Sequence, residues 1–240
     1  MLDRPTVTEL SNATLEDKAK SFHANSIVDI SGIFSEGLHK QMKREAENLI
    51  AENGKQREFR MDATDQTPRR MKNVEQKYIA EQNGVIASLY DDKRLHELVS
   101  NIVRDNVYSC PYEPERMVIT QLDEKGATHG WHWDDYSLAL VWILDAPPPE
   151  TGGILQCVPN TFWDKEKPDV LRFFLKNPIY SYHFGPGQAY LMQTSRTMHR
   201  VYPLLDNEHR RLIVNFAFAT EEDMRSDISH ETVEALWEPT

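Results

Sequence analysis

The stretch THGWHWDDYS, residues 128–137, contains His132-Trp133-Asp134, a His-x-Asp pair. On a strand or at its rim, residues i and i+2 point to the same side, so this imidazole and carboxylate meet at one point. A further imidazole, His199, stands in MHRVYP, 67 residues on, between two strand patterns. Two histidines and one carboxylate are a ligand set for a divalent transition metal. His-x-Asp is common by chance, and its ordered context gives it weight. Gly152-Gly153 opens a strand pattern, GQAYLM (187–192) runs into another, His199 ends the turn after it, and Arg210-Arg211 open the last long one.

Working outward, the period of the chain changes near Arg116. MVITQL (117–122), SLALVWILD (137–145), GGILQCV (152–158), IYSYHFG (179–185), QAYLMQ (188–193) and RLIVNFAFA (211–219) read as strands. PPPETGG, FGPGQ and LLDNEHR between them are turn chemistries. Short strands at this spacing indicate an antiparallel sandwich or barrel. Before about residue 105 the chain is richer in Lys, Glu and Arg and reads as helical. Residues 1–25 read as irregular and SIVDISGIF (26–34) as a strand. Ser35 caps a helix closed by Gly54, with an inner stripe of Leu38, Met42, Ala46, Leu49 and Ile50. Residues 55–74 lack periodicity and read as a long covering loop. Residues 75–90 are again helical. Asp91 or Asp92 caps a helix with the stripe Leu95, Leu98, Val99, Ile102 and Val103. SDISHETVEALW reads as a capped C-terminal helix.

Composition excludes several classes. The 240 residues carry 27 Lys and Arg against 38 Asp and Glu, a formal charge of −11, which argues against a broad nucleic-acid surface. No apolar run is long enough for a membrane span, and the N-terminus shows no secretory pattern. Cys110 and Cys157 lie outside any CxxC context, which leaves no cysteine zinc site or disulfide scaffold and indicates a cytoplasmic setting.

These residues resemble the Fe(II)/2-oxoglutarate-dependent dioxygenases, over roughly residues 110–220. The resemblance implies an α+β fold, with a double-stranded β-helix (jelly-roll) core under N-terminal helices. The expected organisation is one domain over 1–240, with helical cover to 105, core over 106–220 and a C-terminal helix over 221–240. It implies that His132, Asp134 and His199 bind iron, that 2-oxoglutarate and O2 are cosubstrates, and that an Arg on the last strand takes the distal carboxylate of 2-oxoglutarate. A guanidinium fork suits that task. Arg210 and Arg211 must face opposite ways. Arg211 shares parity with Asn215, the lone polar residue of its strand, and is the expected ligand.

The 67-residue gap, His129, Asp135 and Glu115 are similar to a branch containing radical halogenases and hydroxylases of free lysine-like amino acids. Halogenases of that branch carry Gly in place of the carboxylate, which leaves room for chloride. Asp134 fills that position here, so the implied reaction is hydroxylation, with release of succinate and CO2. The implied substrate is a small basic amino acid such as lysine or ornithine. Glu115 and Asp135 match its ammonium partners and His129 a neighbouring pocket residue. Arg69, or its neighbour Arg70, matches a carboxylate grip, Asn215 a polar strand residue and Trp237 a closing C-terminal Trp. Ala217 departs from the branch, which has a hydroxyl residue there. Glu115 also reads as a turn residue after Pro114, Asp135 as a partner orienting His132, Arg69 as a surface residue and Trp237 as a core anchor. Rival readings are a peptide or protein hydroxylase, a non-catalytic metal-binding jelly roll, and a zinc hydrolase, the last lacking any HExxH.

Overall fold

In the last long strand, Leu212, Val214, Phe216 and Phe218 face one way, while Arg211, Ile213 and Asn215 face the other. The same alternation organises the whole molecule. The computed structural model describes Thr8 and residues 10–237. Its strands are β1 (Ile27–Asp29), β2 (Lys55–Phe59), β3 (Arg69–Val74), β4 (Val107–Ser109), β5 (Met117–Leu122), β6 (Thr128–His132), β7 (Leu138–Asp145), β8 (Leu155–Pro159), β9 (Tyr180–Tyr182), β10 (Ala189–Gln193), β11 (Thr197–Val201) and β12 (Arg211–Thr220). Its helices are α1 (Asn12–Asn25), α2 (Glu36–Asn53), α3 (Gln76–Gln82), α4 (Val85–Tyr90), α5 (Lys93–Val103), α6 (Glu113–Arg116), α7 (Val170–Phe174), α8 (Glu221–Arg225) and α9 (Glu231–Trp237).

The strands follow the order β1-β10-β7-β12-β5-β3-β6-β11-β8-β9, with β2 on β3, β4 on β12, and every pairing antiparallel. This sheet curls into a half-barrel, the expected jelly roll. Its outer face, from Met117 and Ile119 to Leu138, Leu140 and Trp142, packs on the inner stripes of α2 and α5 in one large apolar cluster. Its inner face surrounds a cavity. Ser35 caps α2 by accepting from the Leu38 amide, and Asp92 caps α5 by accepting from the Arg94 amide.

Several expectations need correction. The segment read as irregular contains α1, capped by Ser11; its apolar stripe is thin, with Ala19 and Phe22 buried, so periodicity hid it. Residues 1–7 and 9 of that segment lie outside the described residues. Of 26–34, only Ile27–Asp29 is strand, and a 3-10 turn follows. The covering loop 55–74 is the β2–β3 hairpin, and β3 joins the main sheet between β5 and β6. Its inward residues, Arg69, Met71 and Asn73, are mostly polar because they face the cavity, which erases the usual apolar alternation. The helical stretch 75–90 is broken by Asn83 in the left-handed conformation. His199 lies within β11, not at a turn. Leu155 begins β8 after Gly152, whose φ of +92° favours glycine. The C-terminal region adds the short α8 before α9. Among the described residues, no helix is long and apolar enough to cross a membrane.

Candidate metal and substrate site

β6 delivers His132 to the cavity, and Trp133 locks the next step of the chain. The Trp133 indole is fully buried, faces Trp163 and Phe173, and donates to Thr161 Oγ1 at 2.9 Å. With Trp133 anchored on the other side, His132 and Asp134 face the same cavity. β11 pairs with β6 so that His199 lies opposite His132, and the register shifts between His199 and Val201. The two imidazole centroids are 4.1 Å apart. Gly130 lets β6 approach the hairpin: its amide donates to the Pro68 carbonyl at 2.8 Å, and a Cβ there would lie 2.5 Å from that oxygen.

His132 Nε2 lies 3.5 Å, and His199 Nε2 3.7 Å, from Asp134 Oδ1. These distances are too long for hydrogen bonds. Ligand atoms sharing one ion through bonds of about 2.1 Å lie roughly 3 Å apart or more. All three donor atoms fall within 4.8 Å of one another. His132 Nδ1 is 2.7 Å from the Gly130 carbonyl and His199 Nδ1 2.9 Å from the Thr197 carbonyl, so each Nδ1 carries the proton and each Nε2 offers a lone pair. Burial, and then the neighbouring His129, His199 and Arg69, push the His132 pKa well down and keep the ring neutral. The donor set fits Fe(II): two neutral imidazoles and one carboxylate on one side of an ion.

The same cavity collects most of the other expected residues. Arg211 is buried in it beside the Tyr190 hydroxyl, whereas Arg210 faces outward to Asp145 and Glu47. Arg69 points inward, and Arg70 outward to Glu124 at 2.8 Å. Arg69 Nη1 donates to Thr64 Oγ1 at 2.9 Å, while its Nη2 is buried without a partner. Burial lowers the Arg69 pKa to about 10, which leaves it charged at neutral pH. Glu115 lines the cavity with Oε2 buried and unpartnered; burial and the carboxylates of Asp135 and Asp134 push its pKa well up. Asn215 Oδ1 is likewise unpartnered. His129 stacks on His132 with centroids 3.6 Å apart.

Two residues are placed elsewhere. Asp135 does not line the cavity; its carboxylate accepts from Lys165 Nζ at 2.7 Å and from Thr232 Oγ1. Trp237 lies in a shallow pocket with Tyr112 and Pro114, under the Arg57 guanidinium, and α9 presents Thr232, Val233 and Leu236 to the cavity instead. Ala217 packs with Cys110 and Tyr136, away from the cavity. Sequence reasoning missed Tyr190 and Asn73. Asn73 shares strand parity with Arg69, a signal available once β3 is recognised, and its Nδ2 donates to Thr120 Oγ1 at 2.9 Å.

A family profile described as Halogenase D matches residues 10–238. Among solved structures, the non-haem α-ketoglutarate-dependent epimerase SnoN from nogalamycin biosynthesis is similar with a TM-score of 0.66 at 15% identity, over 88% of this chain and 84% of that one. EctD from S. alaskensis with bound Fe gives a TM-score of 0.64 at 16% identity, over 95% and 84%. A Trichoplax adhaerens prolyl hydroxylase in complex with a hypoxia inducible factor peptide gives 0.63 at 12% identity, over 91% and 98%. At these identities the likeness is one of fold. No curated protein matches the chain.

Proposed function

The chain belongs to the Halogenase D family, a family of enzymes, and has the jelly-roll fold of the Fe(II)/2-oxoglutarate oxygenases; from that premise we propose that it hydroxylates a C–H bond of a free amino acid. The observation that carries this reading is Asp134 facing the Nε2 atoms of His132 and His199. Together they form the three-residue ligand set for Fe(II). With 2-oxoglutarate and O2, that ion supplies oxidation of an unactivated C–H bond, releasing succinate and CO2. Because Asp134 takes the third protein position, no place is left for a halide, and the reaction is hydroxylation, not halogenation.

The remaining roles follow from what each side chain offers. Arg211 grips the distal carboxylate of 2-oxoglutarate in a bidentate pair, oriented by Tyr190. The unpartnered Arg69 Nη2 suits the carboxylate of an amino acid, and the unpartnered Glu115 Oε2 suits its ammonium group. Asn215 adds an acceptor. His129, stacked on His132, holds that ligand's ring plane. Val118, Leu122 and Leu236 keep water from the side chain being oxidised.

The family resemblance implies lysine or ornithine as substrate, and both are to be assayed beside amino acids with uncharged side chains. Phe59 of the hairpin and α9 cover the cavity, which favours a small ligand over a peptide. The unpaired buried Cys110 and Cys157 agree with a cytoplasmic setting. Organisation as one domain is supported by helices and strands that share one core. Incubation with Fe(II), 2-oxoglutarate, O2 and each free amino acid tests the reading by mass spectrometry. The expected product is one oxygen heavier than its substrate. No product with any amino acid, or a chlorinated one when chloride is present, contradicts it.

A further inference from the structure

An ammonium cage lies one side chain behind the cavity, and Lys165 fills it. Its Nζ donates to Asp135 Oδ1 at 2.7 Å, Ser229 O at 2.6 Å, Ser229 Oγ at 2.9 Å and Glu231 Oε2 at 2.7 Å. The same nitrogen sits 4.6 Å from the Trp163 ring centroid, in cation–π contact. The Asp135 side chain is 0% exposed, and its other oxygen accepts from Thr232, which lines the cavity. Both Asp135 oxygens are therefore engaged, and the buried carboxylate does not line the cavity where a substrate would lie.

Charge matching then limits the substrate. The carboxylates lining the cavity are Glu115 and Asp134, and Asp134 belongs to the metal set. Arg211 is matched by 2-oxoglutarate. That leaves one guanidinium, Arg69, and one carboxyl group, Glu115, whose ionised form a bound ammonium favours, each with an unpartnered atom. A zwitterion satisfies both. A second ammonium group would enter a largely apolar cavity with no carboxylate of its own, and a buried unpaired charge is strongly unfavourable.

We propose that Lys165, by occupying Asp135, restricts the site to amino acids whose side chain carries no ammonium group. Lys165 is a specificity-determining residue, and lysine and ornithine become good ligands only when its ammonium is removed. This rests on the reading of the substrate as a free amino acid.

The test is calorimetric titration of the anaerobic Fe(II)/2-oxoglutarate holoenzyme with L-norleucine and with L-lysine, which differ by the terminal ammonium. The wild type is expected to bind norleucine at least about tenfold more tightly, the penalty of one unpaired buried ammonium. Lys165→Met is expected to shift that ratio about tenfold toward lysine, and Lys165→Arg, which keeps the charge, to leave it in place. Tighter lysine binding by the wild type overturns the inference alone, and needs no variant to fold. A ratio unmoved in a folded Lys165→Met also overturns it. Binding of 2-oxoglutarate but of no amino acid removes the free-amino-acid reading and this inference with it.

Discussion

His132 Nδ1 lies 2.7 Å from the carbonyl oxygen of Gly130, two residues earlier on the same strand. That bond holds the proton on Nδ1 and turns Nε2 toward Asp134, as the Thr197 carbonyl does for His199. His132→Ala or His199→Ala is expected to weaken Fe(II) binding at least about 100-fold, more than loss of an outer partner costs. Asp134→Gly should bind iron more weakly and open an anion position. Chloride titration followed by the visible spectrum of the Fe(II)/2-oxoglutarate complex reads this directly: Asp134→Gly responds and the wild type does not. A chloride response in the wild type would remove the argument for hydroxylation.

Gly130 also sets how closely β6 approaches Pro68. A methyl group would meet the Pro68 carbonyl at 2.5 Å and push the strand carrying His132 outward. Gly130→Ala is expected to lower stability by about 1–3 kcal/mol and to weaken metal binding as well. Urea unfolding and iron titration check both. Unchanged stability with unchanged affinity would show that the close approach is not needed.

Arg210 and Arg211 are adjacent but opposite in role. Arg211→Lys keeps the charge and loses the fork, so the KM for 2-oxoglutarate should rise about 10- to 100-fold. Arg210→Lys should leave that KM within about twofold, because Arg210 makes an outward ion pair. Equal effects of the two changes would contradict the parity of β12.

Asp145 ties β7 to α2 through Lys43 at 3.0 Å and to the start of β12 through Arg210 at 2.9 Å. Burial raises its pKa, but the hydrogen bonds and charges of Lys43 and Arg210 outweigh burial and hold it below the ordinary 3.8. A carboxyl lowered in the folded state contributes stability that is complete above 3.8 and lost as pH falls through the lowered folded value. Asp145→Asn should cost about 1 kcal/mol at neutral pH and progressively less in acid. Thermal melts of both proteins across acidic pH test this; a difference that grows on acidification has the wrong sign.

Sequence periodicity exposed what packs on apolar neighbours and obscured what faces the site. The stripes of α2 and α5, and strands β5, β7 and β12, were legible because one face of each is buried against hydrocarbon. The β2–β3 hairpin was not, because its inward residues Arg69 and Asn73 are polar and line the cavity. Strand parity put His132 with Asp134 and chose Arg211 over Arg210, while their grouping with His199 rested on the order of the strand patterns and on the family resemblance; all four line the cavity. The place of Asp135 was not: Lys165 lies 30 residues beyond it in sequence, and only the folded loop brings the two charges together.

The central claim is that His132, Asp134 and His199 hold Fe(II) with positions left for 2-oxoglutarate. Anaerobic addition of Fe(II) and then 2-oxoglutarate tests it by visible absorption, since chelation of a ferrous ion by a 2-oxo acid gives a charge-transfer band. The band is expected in the wild type, absent in His199→Ala, and shifted to higher 2-oxoglutarate concentration in Arg211→Lys. A folded wild type that develops no band, or a band that survives unchanged in His199→Ala, would contradict the account.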